Sequence, residues 1–500
     1  MISTWRRRAG KLWNNAPLNM DLARGLRPRW LDRLSGKEHM SKSIKLVAGV
    51  ALLGLAYGAT AWYMGGRIEA QLRDGHEHLT EYLGMPVTLA DYQRGLLHSV
   101  ARTQVVLPPE WGGATITLRH QIEHGPLPGL RRLGLASIES QPELSDATRA
   151  LLQPSIGTAA PVSMHTRIGW SGDGELELAS LDIRLKNPDD AGEAQLLPLQ
   201  YRMRFGADLA SLDASLQWPG MQTRAPNGER FQLQGLSGTD QYVLQPGTRY
   251  TFLGRSDYRL ERLLYVAMAT ATAEDLPGHL PDDPDQRSTA GLALRDVQLQ
   301  MEATEEGGLM DMLLRMSAQE LQLDGEAFAP LQWDMSLRKT HVPTYEQFYA
   351  AFSSLLQSED PVAAFGRLDA QEQERFRQQA AALFAHGLEL RLDELSFRLP
   401  EGVVRADASV SAPTLTANDL SFLPFSLLAK LQFQAHLSVP EAALVRLGLY
   451  DAESLQALVD QGVAEREGDA LKTAISYLRG LSTINGQPVD PAALGGLLPY

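Results

Sequence analysis

The chain has 500 residues, 44% of them hydrophobic, with 60 acidic and 46 basic side chains and a net charge of −14. It contains no cysteine, which excludes disulfides, thiolate catalysis and cysteine-ligated zinc. The acidic balance argues against nucleic acid as a partner, because phosphate binding needs clustered cations.

Residues 1–43 run against that balance. They carry ten Lys or Arg against three acids, a net charge of +7, which leaves −21 on the rest of the chain. Met40 opens MSKSIKLVAGV, which reads as a short natural start, so residues 1–39 read either as a dispensable extension or as a mis-called start. The stretch Ile44–Met64 then runs 21 residues with Lys45, next to its start, as its one charge. At 1.5 Å per helical residue it spans a hydrocarbon core of roughly 30 Å, with Trp62 and Tyr63 at the headgroup layer. It is longer than a signal-peptide core and lacks a small-residue cleavage site, so it reads as a single anchor. Basic flanks stay cytoplasmic, which puts the head inside and the acidic body across the membrane. Gly54 and Gly58 fall at GxxxG spacing and, with Gly49, offer small faces for helix pairing.

Residues 65–86 form an amphipathic stalk. Ile68, Leu72, Leu79 and Leu83 make one apolar stripe, expected to dock on the protein's own body, and Gly84 and Pro86 end it. His76, Glu77, His78 and Glu81 lack the second histidine of HExxH and read as a solvated face. Strand patterns follow. Val87–Leu107 reads as two strands broken at Arg94-Gly95. Ala114–His124 alternates, with Ile116, Leu118, His120, Ile122 and His124 on one face. On a helix His120 and His124 would share a metal. On a strand they stand about 13 Å apart, too far for one ion, and read as structural histidines. Further runs are Gly174–Leu185, Leu199–Phe205, Leu209–Trp218, Phe231–Leu236 and Tyr242–Leu244, separated by turn signals at Asn187-Pro188, Pro219-Gly220 and Asn227-Gly228.

Helical patterns fall at Glu143–Leu152, Tyr258–Ala273, Thr344–Gln357, Pro361–Ala385, Pro440–Leu447, Ala452–Gln461 and Asp469–Leu478, giving a helical C-terminus. Leu276–Ser288 reads as a loop dividing a first strand-rich region, 87–288, from a second, 289–500. Asp173, Asp189, Asp190 and Asp282-Asp283-Pro284-Asp285 lack the alternate spacing of a calcium loop and read as surface turns. Three sequence parallels recur in order. Gly291–Leu299 resembles Gly387–Leu395, Ser317-Ala318 matches Ser411-Ala412, and Val342-Pro343 matches Val439-Pro440. They point to a duplicated strand–strand–strand–helix unit at about 290–385 and 386–480. The expected fold is therefore α+β and strand-rich: one N-terminal transmembrane helix, then a large antiparallel meander with interspersed helices.

Four stretches carry a family resemblance. They are Trp62–Glu69 (WYMGGRIE), Tyr92–Ser99 (YQRGLLHS), His120–Leu127 (HQIEHGPL) and Leu481–Pro488 (LSTINGQP). In this order they resemble the YdgA-like family of bacterial inner-membrane proteins of unknown function, over about residues 41–490. The resemblance implies a Gram-negative protein anchored in the inner membrane with a periplasmic body. It carries over no catalytic residues.

No GxSxG elbow, SxxK box, Walker loop or dinucleotide fingerprint occurs, and no catalytic, cofactor-binding or metal-ligating set is assigned. The expected function is a non-enzymatic scaffold or binding protein of the cell envelope, covering its sheet by self-association as a homo-oligomer, by an envelope protein partner or by a lipid. A continuous open apolar groove would favour lipid; a filled core would oppose it. The alternative is an envelope hydrolase acting on cell wall or polysaccharide, which needs paired carboxylates in a cleft. Glu139, Glu143, Asp146, Asp393 and Glu394 are the available acids.

Overall fold

The computed structural model describes residues 57, 58, 60–66, 68, 69, 73, 86–107, 114–130, 133–186, 192–267, 291–323, 326–356, 360–413, 415–421, 430–478 and 480–489. The stalk histidines, Gly49, Gly54, Asp189, Asp190, Asn187-Pro188 and the 276–288 loop lie outside them, as does most of the proposed span. Among the described residues no helix is long and apolar enough to cross a membrane. The sheet and its helices belong to the unit Thr60–Tyr500.

Alternating sequence forms strands here, and among the described residues the strands join one antiparallel sheet of 24. β1 (Val87–Arg94), β2 (His98–Val106), β3 (Thr115–His124), β4 (Ala136–Pro142), β5 (Val162–Ile168) and β6 (Gly174–Ser180) each pair with the next. After β7 (Ile183–Lys186), β8 (Glu193–Leu196) and β9 (Gln200–Phe205) comes the long β10 (Ser211–Arg224), which takes β9 along its first half and β8 along its second. β9 pairs back to β6. β11 (Arg230–Leu244), β12 (Phe252–Val266) and β13 (Gly291–Glu306) extend the ladder, and β13 accepts β14 (Leu309–Ala318) and the short β15 (Glu320–Leu323), itself paired with β16 (Glu326–Ala327). From β14 the ladder continues through β17 (Leu331–His341), β18 (Glu389–Leu399), β19 (Gly402–Ser411) and β20 (Gln432–Pro440). It closes with β21 (Glu465–Glu467), β22 (Ala470–Leu478), β23 (Leu481–Ile484) and β24 (Gln487–Val489), where β22 pairs with β20, β21 and β23.

The helices set among these strands are α1 (Asp146–Ile156), α2 (Val342–Leu356), α3 (Pro361–Arg367), α4 (Ala370–Ala385), α5 (Ala417–Ser421), α6 (Glu441–Arg446) and α7 (Ala452–Asp460). Their starts are chemically specified. Ser145, Asp360 and Asp451 cap α1, α3 and α7, and Asp369 with Glu372 forms a capping box on α4. Phe348 and Phe352 of α2 meet Phe376 of α4 at 5.4 and 5.0 Å, and Phe365 of α3 joins at 5.1 Å. Glu346 ties α2 to the β11–β12 turn by accepting from the backbone of Arg249 and Tyr250 and from the Thr251 hydroxyl, at 2.7–2.8 Å. Over the two stretches read as a duplicated unit the chain order is β13, β14, β15, β16, β17, α2, α3, α4 and then β18, β19, α5, β20, α6.

Three readings of the sequence are corrected. Tyr258–Val266 is strand, not helix. Leu260, Leu263 and Leu264 mimic helical spacing, but β11 and β13 pair with β12 on both sides and satisfy its backbone. Ala470–Leu478 is also strand, so the described residues beyond α7 form no helical C-terminus. Pro219-Gly220 is not a turn but sits within β10. Pro219 lies between the paired residues Trp218 and Gly220, where the ladder asks no N–H of it.

The register has a global consequence. One cross-strand row reads Met164, Leu178, Tyr201, Leu216, Gly238, Tyr258, Leu299, Met316, Trp333, Leu395, Ala406, Leu437, from β5 to β20. The neighbouring row on the same face reads Leu176, Met203, Ala214, Asp240, Ser256, Met301, Leu314, Met335, Leu392, Ala408, Ala435, Ile475. The bulge at Asp393-Glu394 keeps Leu392 and Leu395 in phase. The intervening residues, such as Asp213, Ser215, Gln298, Gln300 and Glu302, make the opposite face polar.

Buried clusters fill only parts of the apolar face. One gathers Ile68, Ala101, Ile122, Ala136 and Ile138; a second Leu399, Val404 and Ala443; a third Leu455, Ala464 and Leu471. Among the described residues none of the three draws on β6 to β14. Gly220 has φ 135°, and a Cβ there would strike the Leu233 carbonyl. Gly220→Ala is expected to cost more than about 1 kcal/mol, read as a lowered urea midpoint; an unchanged midpoint would refute this account of the kink.

Candidate functional site

Three of the four family-like stretches meet in space. Residues 60–66, 68 and 69 are helical and lie on β1–β3. Ile68, at 1% exposure, enters the cluster with Ala101, Ile122 and Ile138. Gly65 permits the close approach: a Cβ on it would run into the His124 ring. The Tyr92 hydroxyl donates to the Gly65 carbonyl at 3.0 Å, and the Arg94 guanidinium stacks over Trp62 at 3.9 Å. The beginning of the stalk thus docks on the protein's own body, as its apolar stripe implies.

His120 and His124 are both buried on β3. Their nitrogens meet hydroxyls on the flanking strands. His120 lies 2.7 Å from Ser140 and 2.8 Å from Thr103, and His124 lies 2.9 Å from Ser99. These are structural histidines that carry hydrogen bonds through a covered core. Burial foremost pushes the His124 imidazole below its ordinary pKa; the Leu96 carbonyl opposes this, and His98 and Arg94 reinforce it. The fourth stretch supplies the β23–β24 turn. Asn485 adopts φ 48° there, and its amide donates to the carbonyls of Gly462 and Val463 at 3.0 and 3.1 Å.

On the other side of the first strands lies a cavity of about 730 Å³, lined by Glu123, Ser137, Glu139, His165, Arg167, Asp173, Glu175 and Arg204 among others. Ser137 Oγ sits 2.9 Å from His165 Nε2, the spacing of a nucleophile and its base. The third member is wrong for that chemistry. Arg167 approaches His165 Nδ1 at 3.1 Å, and a guanidinium only donates. Nδ1 must therefore accept, Nε2 carries the proton, and the ring donates to Ser137 instead of taking its proton. Arg167 is itself held by Glu175 and Glu177 at 3.2 and 3.5 Å.

The acids singled out in the sequence do not converge. Glu139 lines the cavity, but Glu143 pairs with Arg102 at 2.8 Å and Asp146 sits in the first turn of α1. Asp393 is bound by Arg391 and Arg338 at 3.1 and 3.4 Å, and Glu394 accepts from Ser396 at 2.9 Å. Asp173 caps the β5–β6 turn at the cavity rim, hydrogen-bonded by Ser171. Nothing here supports a hydrolase.

The open apolar face carries one polar island that sequence reading missed. Asp240 accepts from Ser256 at 2.5 Å and from Tyr258 at 2.7 Å, while the Tyr242 hydroxyl sits 2.8 Å from Ser256. Burial, then the Asp240 carboxylate, pushes the Tyr258 hydroxyl well above the ordinary tyrosine range. The partners come from two strands sixteen to eighteen residues apart, so only the register reveals them.

An amphipathic antiparallel sheet with a helix docked on its first strands defines a strand-rich structural class. The chain belongs to the family described as "Bacterial protein of unknown function (DUF945)", whose profile matches residues 40–492. It is similar to Protein YdgA of Escherichia coli (strain K12), at 24% identity over 241 residues, covering 40% of this chain and 47% of that protein. The chain thus spans about half the length of that relative. No solved structure matches.

Two measurements test the site. A fluorophosphonate probe should leave Ser137 unmodified; labelling abolished by Ser137→Ala would show that the His165 tautomer is other than Arg167 dictates. His124 is held neutral in the fold, whereas the unfolded chain binds its proton near pH 6.5. Its stabilising contribution is complete above that value and declines as pH falls toward the lowered folded-state pKa. Between pH 7 and pH 5 the wild type should lose more stability than His124→Gln in urea titrations; equal losses would count against the assignment.

Proposed function

We propose that this protein is a non-enzymatic lipid-binding protein of the Gram-negative cell envelope, held in the inner membrane by Ile44–Met64 with its N-terminus cytoplasmic and its body periplasmic. The apolar span, whose one charge is Lys45 at its cytoplasmic end, and the basic head before it support the location. The observation that carries the lipid reading is the continuous apolar face. It runs from β5 to β20 along paired strands, about 50 Å at about 4.8 Å per strand. Side chains along it remain open, Met301 at 37% and Leu437 at 47% exposure. Contiguous apolar surface on this scale is rare on soluble monomers and marks a binding face. An acyl chain lying across the strands suits it, because rows of Leu, Met and aromatic side chains give dispersion contacts without directional demands.

The test is native mass spectrometry and lipid extraction on full-length protein taken gently from its own membrane. The wild type should retain lipid, and Leu299→Asp with Met301→Lys should reduce the retained amount several-fold while the circular dichroism spectrum is kept. A lipid-free dimer in the wild type would overturn the reading and make a second copy the cover of the face.

A further inference from the structure

The apolar span read as the anchor closes at Met64, and its last residues are the part of it that the structure places. Trp62 and Tyr63 are exposed there. Arg94 at the end of β1 stacks on Trp62 at 3.9 Å. From Arg94 the chain turns through Gly95–Leu97 into β2. Leu96 is two residues beyond Arg94, within about 7 Å along the chain. The Leu97 carbonyl accepts from the His124 backbone N–H at 2.9 Å, and the His124 ring lies against Gly65. The turn is therefore held beside helix residues 62–65. Turns are built from small and polar residues that water solvates. This one presents two leucines outward, Leu96 at 59% and Leu97 at 43% exposure.

We propose that the β1–β2 turn is a second membrane contact, in which Leu96 and Leu97 enter the headgroup–acyl boundary of the bilayer that holds the anchor. The inference rests on reading Ile44–Met64 as a span and goes beyond it, because it fixes which edge of the sheet faces the membrane. The bilayer is the occupant because the run that needs a hydrocarbon core carries Trp62 and Tyr63 at its end, and Arg94 beside the turn binds Trp62. Aromatic rings prefer the headgroup level, and the turn sits at that level with them. Arg94 supplies the cation that lipid phosphates attract.

The chain has no cysteine, so a single introduced cysteine is a unique label site. Full-length Leu96→Cys and Leu97→Cys, labelled with an environment-sensitive fluorophore, are reconstituted in vesicles of phosphatidylethanolamine and phosphatidylglycerol. Leu55→Cys reports the span, and Leu209→Cys, 49% exposed on a turn of the body, reports water. Labels at 96 and 97 should shift to the blue and be quenched several-fold more by shallow spin-labelled lipid than the label at 209. Quenching at 55 without quenching at 96 or 97 would overturn the membrane contact and leave the span standing. No quenching at 55 would overturn the span and, with it, the contact. A blue-shifted but unquenched label at 96 or 97 would mean that protein covers the turn, which also overturns the proposal.

Discussion

The structure depends on phase. Every strand of an antiparallel ladder alternates its side chains between two faces, and directly paired residues share a face. A one-residue slip anywhere would carry all later apolar residues to the wrong side. Here the phase holds from Ile122 on β3 to Ile475 on β22, and where an extra residue enters, at Asp393-Glu394, a bulge restores it. The result is one amphipathic sheet rather than a closed core. Full burial of a Leu or Met side chain is worth about 1.5–3 kcal/mol, and the half-open rows forgo part of that at each position. Where the described residues leave the face open, a bound apolar ligand would recover that loss.

The fold supplies cover where rigidity is needed. The N-terminal helix lies over β1–β4, α6 and α7 over the last strands, and their clusters contain the least exposed residues, Ile122, Ala443 and Leu455. Within the covered region imidazole meets hydroxyl, His120 with Ser140 and Thr103 and His124 with Ser99. On the open face Asp240 would be costly among Leu216, Met301 and Leu314. Three hydroxyls from Ser256, Tyr258 and Tyr242 absorb the carboxylate, directly or through Ser256, so the face remains effectively apolar.

Much of this was legible in the sequence, and the failures have physical causes. Alternation located β1, β2, β3 and β9 to within a few residues, whereas the single helical pattern over Pro361–Ala385 is two helices, α3 and α4, because Asp369 caps a new start. It failed at β12, where Leu260, Leu263 and Leu264 satisfy both a helical stripe and a strand. It failed again at β22, where Leu471 and Ile475 do the same. In both, partners on either side decided the outcome, and partners are not visible locally. The Pro219-Gly220 reading failed because turn residues also serve as kinks in long strands. The cavity was illegible for a related reason: Ser137 and His165 stand 28 residues apart and meet only through pairing of β4 with β5. The family-like stretches were visible, but that three of them form one junction was not.

That junction also resolves an electrostatic difficulty of the proposed anchoring. Residues 44–500 carry −21, and the surface of a bacterial bilayer exposes anionic lipid. Exposed acidic surface brought within a Debye length, about 8 Å at physiological salt, would be repelled. Any stable placement beside the bilayer must therefore present an edge poor in carboxylates. The β1–β2 turn is such an edge, with Arg94, Gly95, Leu96, Leu97 and His98 in succession and no acid among them. Arg94 of the same segment holds the helix through Trp62. The contact that fixes the helix to the sheet would thereby also select an approach to the membrane that the charge of the body tolerates.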